Sequence, residues 1–367
     1  RQRQMCIRDR DTINLIGHAA RKVVDFVATL LDWEFKKVCR EAGIPILLEK
    51  SVKKALDRDW SDKEQKAEAV DELARQVLSL ERWITNYLPE QKDHPPLERL
   101  LKTLRQLMQQ DLEPDPNGGG LRIAKKVAKD RRISVEDGEM RHGRKSKSKR
   151  IDGYKRHIAT DLDSEAIVAC AITPANVPEQ DALLDIKDDL DENNVIVGEA
   201  HIDRGYMGSP IVDEFIENKV KVLCKPWKQD NGDLFSKEDF KLNLRSKTIT
   251  CPNGVTERFD FGKTVEFAPN GCAKCLKRDQ CTNAAQGHGR TVSIAEDESF
   301  QYQMRRKSKT KNGRQEFRER VEVEHRLAHI GQRQGNRARY CGTRNNLYDL
   351  RRAASVLNLE VAQRKAA

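Results

Sequence analysis

Lys155-Arg-His-Ile-Ala-Thr-Asp161 and Glu165-Ala-Ile-Val-Ala-Cys-Ala-Ile172 are two short apolar-rich runs separated only by Leu162 to Ser164. Two such runs across a tight connection predict an antiparallel hairpin. Upstream, Arg131-Arg-Ile-Ser-Val-Glu-Asp137 predicts another strand, so the segment opens on three. Downstream, Pro178 to Asp191 is acidic and amphipathic and predicts a helix, and Val195 to Asp203 predicts a fourth strand. Ser209-Pro210 sets Ser at an N-cap and Pro at the first helical position of a helix reaching Asn218. Lys219 to Cys224 predicts a fifth strand, stopped by Pro226.

The order is therefore β-β-β-α-β-α-β. An antiparallel meander followed by helix-linked parallel strands is the RNase H-like arrangement. The expected class is α/β: a mixed five-stranded RNase H-like sheet with flanking helices, an all-α N-terminal region and a small cysteine-containing insertion. Ligands of open α/β sheets gather where strand ends converge. Asp137 ends the first strand and Asp203 the fourth, and these two strands are neighbours in such a sheet. Asp161 is the rival for the first position, but choosing it leaves one strand before the helix instead of two. The competing use of Asp137-Gly138 and Asp203-Arg-Gly205 is ordinary turn chemistry.

Working outward, residues 19 to 113 predict helices. Val23, Val24, Val27, Leu30, Leu31, Phe35 and Val38 keep a 3.6-residue period toward a stop at Gly43. Val70, Leu73, Ala74, Val77, Leu80, Ile84 and Leu88 define a second helix closing at Pro89, and Leu97 to Leu112 a third. Pro114-Asp-Pro-Asn-Gly-Gly-Gly120 breaks the pattern. The expected organisation is a helical N-terminal region over 1–113, a linker over 114–130, a catalytic first part over 131–226, an insertion over 227–300 and C-terminal catalytic helices over 301–367. The chain starts at Arg1 with no apolar signal core, and residues 1–10 read as a non-native beginning to a copy truncated at its N-terminus.

The 367 residues carry 68 Lys and Arg against 58 Asp and Glu, a formal charge of +10. Clustered positive charge favours a polyanionic partner, because neutralising phosphates releases counterions. No stretch approaches the ~20 apolar residues that cross a bilayer. Nine cysteines without a secretion signal predict a reducing, cytoplasmic setting.

A third carboxylate is expected from a helix after the insertion. Arg314-Gln-Glu-Phe-Arg-Glu-Arg-Val-Glu-Val-Glu-His325 offers Glu316, Glu319, Glu322 and Glu324. Arg320 precedes Glu324 by one turn and Arg318 stands in the same relation to Glu322, so spacing leaves both open. Two or three carboxylates with substrate phosphate satisfy Mg²⁺ or Mn²⁺, and two such ions ~4 Å apart would clamp an in-line displacement.

Cys251, Cys272, Cys275 and Cys281 follow a C-x20-C-x2-C-x5-C spacing. The Cys272/Cys275 pair is a knuckle suited to Zn²⁺, with Cys251 and Cys281 completing a tetrahedron and His288 a weaker candidate. The block reads as too short for its own core, so metal would supply folding energy. Four reduced cysteines in an irregular loop are the alternative. Basic runs flank the carboxylates: Arg141, Arg144, Lys145, Lys147, Lys149, Arg150, Lys155 and Arg156 first, then Arg305 to Arg314, then Arg333, Arg337, Arg339 and Arg344. They predict DNA affinity and salt sensitivity rather than sequence choice.

Ser134-Val-Glu-Asp137 with Arg141-His-Gly-Arg-Lys-Ser146, Asp152-Gly-Tyr-Lys155, Ile202-Asp-Arg-Gly-Tyr206, Val323-Glu-His-Arg-Leu-Ala328 and Gly335-Asn-Arg-Ala-Arg-Tyr340, taken in order, resemble a bacterial insertion-sequence DDE transposase of the branch with a cysteine-containing insertion. The likeness covers roughly residues 110 to 360. It implies Asp137, Asp203 and Glu324 as the Mg²⁺-binding triad. It favours Glu324 over Glu322 through a Tyr–Arg–Glu–Lys helix signature, in which Phe317, Arg320 and Glu324 take the first three places. Gly331 stands where Lys is expected, leaving Arg333 as the substitute contact, and Asp137-Gly138 replaces the commoner Asp-Pro. The resemblance also implies cutting at element ends, joining of the 3′-hydroxyl to target DNA, N-terminal helices on the terminal inverted repeats, and a homodimer on paired ends at the bacterial nucleoid. A metal-dependent nuclease on the same fold and an inactive zinc-stabilised DNA-binding remnant are the alternatives.

Overall fold

The computed structural model describes residues 3–4, 11–116, 120–144, 150–227, 229–319, 321–335 and 337–367. The chain divides into two units. One comprises Arg1–Pro178, Asp188–Asn193 and His325–Ala367; the other comprises Glu179–Lys187 and Asn194–Glu324.

The first unit opens with a short strand, β1 (Arg3–Gln4), and five helices: α1 (Thr12–Leu31), α2 (Phe35–Glu41), α3 (Val52–Leu56), α4 (Lys63–Tyr87) and α5 (Pro95–Asp111). Asp11 and Asp62 cap α1 and α4, accepting from the backbone N–H groups of Ile13 and of Glu64 and Gln65. Leu15, Ile16, Val23, Val24 and Val27 of α1 bury the stripe that the 3.6-residue period demands, together with Leu73, Leu80 and Ile84 of α4 and Leu97, Leu104 and Leu107 of α5. Each such side chain contributes roughly 1.5–3 kcal/mol of transfer free energy. The stripe expected to run unbroken from Val23 to Val38 is interrupted. Asp32 turns left-handed (φ 53°) and its N–H bonds back to Ala28 and Thr29, which ends α1 and starts α2 in a new direction. Asp111, at the end of α5, is buried and held by the Arg131 guanidinium (Nε to Oδ1, 2.6 Å) and by the Thr12 hydroxyl (2.9 Å).

The stretch expected as linker is partly a hairpin, β2 (Leu112–Pro114) with β3 (Leu121–Ile123). The meander follows as β4 (Arg141–Arg144), β5 (Arg150–Thr160) and β6 (Ile167–Pro174), with β5 central and antiparallel to both. β1 pairs with β5 at Gly153 and Tyr154. Arg131–Asp137 is not the first strand; the first strand begins at Arg141, and only an isolated Arg132–Arg141 bridge joins the two segments. A side chain from α5 occupies the backbone there. The Gln110 carboxamide accepts from Arg132 N (2.9 Å) and donates to Arg132 O (2.7 Å), so a side chain takes the place of a neighbouring strand. Asn358 treats Ile167 at the start of β6 the same way, at 2.8 and 2.9 Å. Tyr154, Cys170 and Ile172 pack with Ile330, Leu350, Ala354 and Leu357 in the core of this sheet.

The expected helix over Pro178 to Asp191 is a short 3₁₀ turn, Glu179–Asp181, leading into α6 (Ala182–Glu192). In the second unit β7 (Glu199–Ile202), α7 (Pro210–Glu217) and β8 (Lys221–Cys224) follow, with β7 and β8 parallel. Ser209 occupies the N-cap of α7, yet its hydroxyl makes no cap bond. Four of the five expected strands thus appear in order, with Arg141–Arg144 in place of the first, but as a meander and a separate parallel pair within a mixed α/β fold.

The insertion has more structure than its sequence suggests. β9 (Lys241–Asn243), β10 (Thr248–Thr250) and β11 (Thr256–Arg258) form an antiparallel sheet, and β12 (Thr264–Glu266) pairs with β13 (Thr291–Ser293). The insertion has its own core, in which Phe240, Ile249, Phe259, Val265, Phe267, Val292 and Ile294 are buried, so the cysteine block draws on residues beyond its ends. A short helix, α8 (Pro269–Ala273), carries Cys272. Helices α9 (Glu298–Lys309), α10 (Lys311–Glu319), α11 (Val321–Gln334) and α12 (Thr343–Ala366) complete the chain. Gly335, at φ +72°, follows α11.

Candidate active site

Asp137 lies four residues before β4 and is 2 % exposed. Its carboxylate accepts from the Tyr154 hydroxyl, from Glu139 N (3.0 Å) and from Gly342 N (3.1 Å). Its own backbone N–H donates to the Ser134 hydroxyl at 3.2 Å. Three donors on one buried carboxylate offset its desolvation and keep the anion in place. The tyrosine pays in acidity: burial first, then the Asp137 charge, push its hydroxyl well above the usual tyrosine range. The rival Asp161 is a turn residue that accepts from Ser164 N.

Asp203 directly follows β7 with an extended backbone (φ −78°, ψ 153°) and is exposed. Alternation along an extended chain puts Glu199, His201 and Asp203 on one face. Gly205 beside it is exposed, with the end of the Glu179 side chain where a Cβ would fall, 2.3 Å from Oε2. Burial, followed by the charges of Glu179 and Asp203, raises the Tyr206 hydroxyl above its ordinary range.

The acidic helical run flanks the same parallel pair. Glu316 lies 3.1 Å from Lys221 Nζ on β8 and 2.5 Å from Lys307, and these cations hold its carboxyl below the usual range. Glu319 lies 3.7 Å from His201 on β7. One turn on, Glu322 and Glu324 occupy the first turn of α11, where the helix dipole favours carboxylates. Glu324 is exposed and Glu322 half-buried.

Residues 126–359, more than half of the chain, match the family model for the transposase DDE domain. The chain belongs to that family. No curated protein and no solved structure matches it. Membership makes the transposase an enzyme acting on DNA and implies a divalent metal such as Mg²⁺. Exposed carboxylates at Asp203 and Glu324 suit such a hard cation. No helix among the described residues is long and apolar enough to cross a membrane.

The four clustered cysteines of the transposase line one cavity in the insertion, alongside Lys277, Arg278 and Arg290. Burial first, with the nearby Cys272, Cys251 and Cys275 adding to it, raises the Cys281 thiol. Among the described residues, no three of these thiols approach one another as closely as the Glu199–His201–Glu319 group, whose ligand atoms lie within 4.8 Å of one another. His288 is 71 % exposed and does not line the cavity.

Several residues expected on DNA are engaged within the protein. Arg141 bonds Asp130 and the Gly138 carbonyl (both 2.6 Å), Lys155 bonds the Val177 carbonyl (2.6 Å), and Arg333 is paired with Glu360. Arg144 is exposed at the end of β4. Lys145, Lys147, Lys149 and Arg320 lie outside the described residues. Sequence reasoning quoted Tyr154 without giving it a role and passed over Glu199 and His201. Their alternation with Asp203 along one strand was the available signal.

Proposed function

We propose that the transposase cuts DNA at element ends and joins the freed 3′-hydroxyl to target DNA, using Asp137, Asp203 and Glu324 as its metal-binding carboxylates on an RNase H-like catalytic domain. The observation that supports this reading is that Glu316 and Glu319 of α10 contact β8 and β7, the second of which runs directly into Asp203. Divalent metal, when bound, supplies activation of the attacking oxygen and neutralises charge on the phosphate. Asp203 and Glu324 are both exposed residues and would hold it. Asp137 is oriented by Tyr154, Glu139 N and Gly342 N. Arg144 and the adjacent basic run hold the phosphate backbone without reading sequence. The N-terminal helices bind the terminal inverted repeats, and a homodimer pairs two ends. The cysteine cavity of Cys251, Cys272, Cys275 and Cys281 holds zinc as a structural ion.

The experiment is strand transfer with pre-cleaved ends, Mg²⁺ and a target plasmid. Joined products that vanish in Asp203→Asn while DNA binding persists support the reading. Joining retained in Asp203→Asn removes the triad. Cleavage without joining identifies a nuclease, and binding alone an inactive remnant.

A further inference from the structure

Behind Asp203 on the same face of β7 lies a second set of ligand-bearing side chains. His201 Nε2 is 2.9 Å from Glu199 Oε1 and 3.7 Å from Glu319 Oε2, and the imidazole is 7 % exposed. All three ligand atoms lie within 4.8 Å of one another. None of the three residues is among the proposed catalytic carboxylates, so the site stands apart from that reading.

Among the described residues, three glutamates, Glu199, Glu316 and Glu319, gather here with His201 and two lysines. Lys221 takes the other oxygen of Glu199 (2.8 Å) and Glu316 (3.1 Å), and Lys307 takes Glu316 again. Glu319 and the second Glu199 oxygen both lie on the His201 side of this group. A cation between these atoms completes the set. Ligands ~2.1 Å from one ion lie roughly 3–3.5 Å apart, a range that the two His201 separations, 2.9 and 3.7 Å, bracket. One imidazole nitrogen with two carboxylate oxygens suits Mn²⁺, Co²⁺ or Zn²⁺ better than Mg²⁺, which prefers oxygen and retains water.

We propose that Glu199, His201 and Glu319 bind a divalent transition-metal ion at a site of their own. Bound there, the ion ties the last residue of α10 to the strand that leads into Asp203, and so fixes where α11 begins. The rival cation is a proton, which would make His201 an imidazolium between two glutamates.

Cobalt titration of the metal-stripped full chain, followed by absorption, separates the two. Co²⁺ held by nitrogen and oxygen lacks the sulfur charge-transfer band of Co²⁺ on the cysteines, so the two sites are read independently. One nitrogen–oxygen equivalent is expected in wild type and in Asp203→Asn. Glu319→Gln, a near-isosteric change that spares the fold, and His201→Gln should each weaken it by roughly tenfold to a hundredfold. No such equivalent in wild type, or equal binding in Glu319→Gln, overturns the site in favour of the imidazolium. Loss in Asp203→Asn with retention in Glu319→Gln assigns the ion to the catalytic carboxylates and overturns it equally.

Discussion

The Tyr154 hydroxyl lies 2.7 Å from Oδ1 and 2.6 Å from Oδ2 of Asp137, donating into the carboxylate from the middle of β5. The contact joins a strand residue to a segment outside the sheet and gives a buried anion its strongest neutral donor. Tyr154→Phe removes one hydrogen bond to a charged acceptor, worth ~1.5–3 kcal/mol. Thermal denaturation should register that loss. With Asp137 as a metal ligand, the Mg²⁺ concentration for half-maximal joining should also rise by roughly tenfold. An unchanged Mg²⁺ dependence alongside lowered stability would leave the contact structural only.

The choice between the two glutamates of α11 is testable by paired substitutions. Glu324→Gln should lower strand transfer by at least ~100-fold, the scale of several kcal/mol of charge stabilisation. Glu322→Gln, half-buried beside it, should stay within about tenfold of wild type. The reverse order of effects would move the third ligand to Glu322.

Asp111 and Arg131 make a second test, of stability alone. Asp111 is 4 % exposed and its carboxylate is bracketed by the Arg131 guanidinium. Arg131→Ala strands that charge and should cost about 3–5 kcal/mol in urea unfolding. A loss below ~1 kcal/mol would mean that water reaches Asp111 in the variant.

Acid should expose His157. It is 3 % exposed, with Nε2 2.9 Å from Thr173 Oγ1, and burial, followed by the Lys155 charge, pulls its pKa down to about 3. The unfolded imidazole takes up its proton near 6.5. Between these values the unfolded state binds more protons. The contribution is therefore present above pH ~6.5 and lost as pH falls toward ~3, on the order of a few kcal/mol in all. His157→Gln should flatten that part of the stability–pH curve; an unaltered slope would place the titration elsewhere.

Thiol labelling should follow burial. Cys39 and Cys170 are pushed up to about 11 and about 12, chiefly by burial, and should resist alkylation at pH 8 until the protein unfolds. Exposed Cys341 should label in the native state. If zinc occupies the cysteine cavity, Cys251, Cys272, Cys275 and Cys281 should label only after chelation.

Helix α4 and the β5–β6 hairpin were legible because their signals are local: a 3.6-residue stripe and two apolar runs across a short turn. Arg131–Asp137 has the composition of a strand, but Gln110, an ordinary helix residue more than twenty positions earlier, satisfies Arg132 and nothing local announces it. The break after α1 depends on Asp32 adopting φ 53°, a conformation aspartate tolerates without advertising. Asp203 could be placed because a strand ends there. Glu199 and His201 alternate with it in plain view, yet their partner Glu319 comes from a distant helix. The cysteine spacing suggested a loop held by metal, whereas Phe240, Phe259 and Phe267, scattered between turns, build a core without periodicity.

Gly342 donates to Asp137 across 205 positions of sequence. During synthesis at ~5–20 residues per second, on the order of 10–40 s separate the two residues at the ribosome. A nascent chain therefore carries Asp137 long before the backbone that steadies it exists. A message broken between codons 324 and 342 yields a protein with all three acidic residues in its sequence and an unfinished surround for the first.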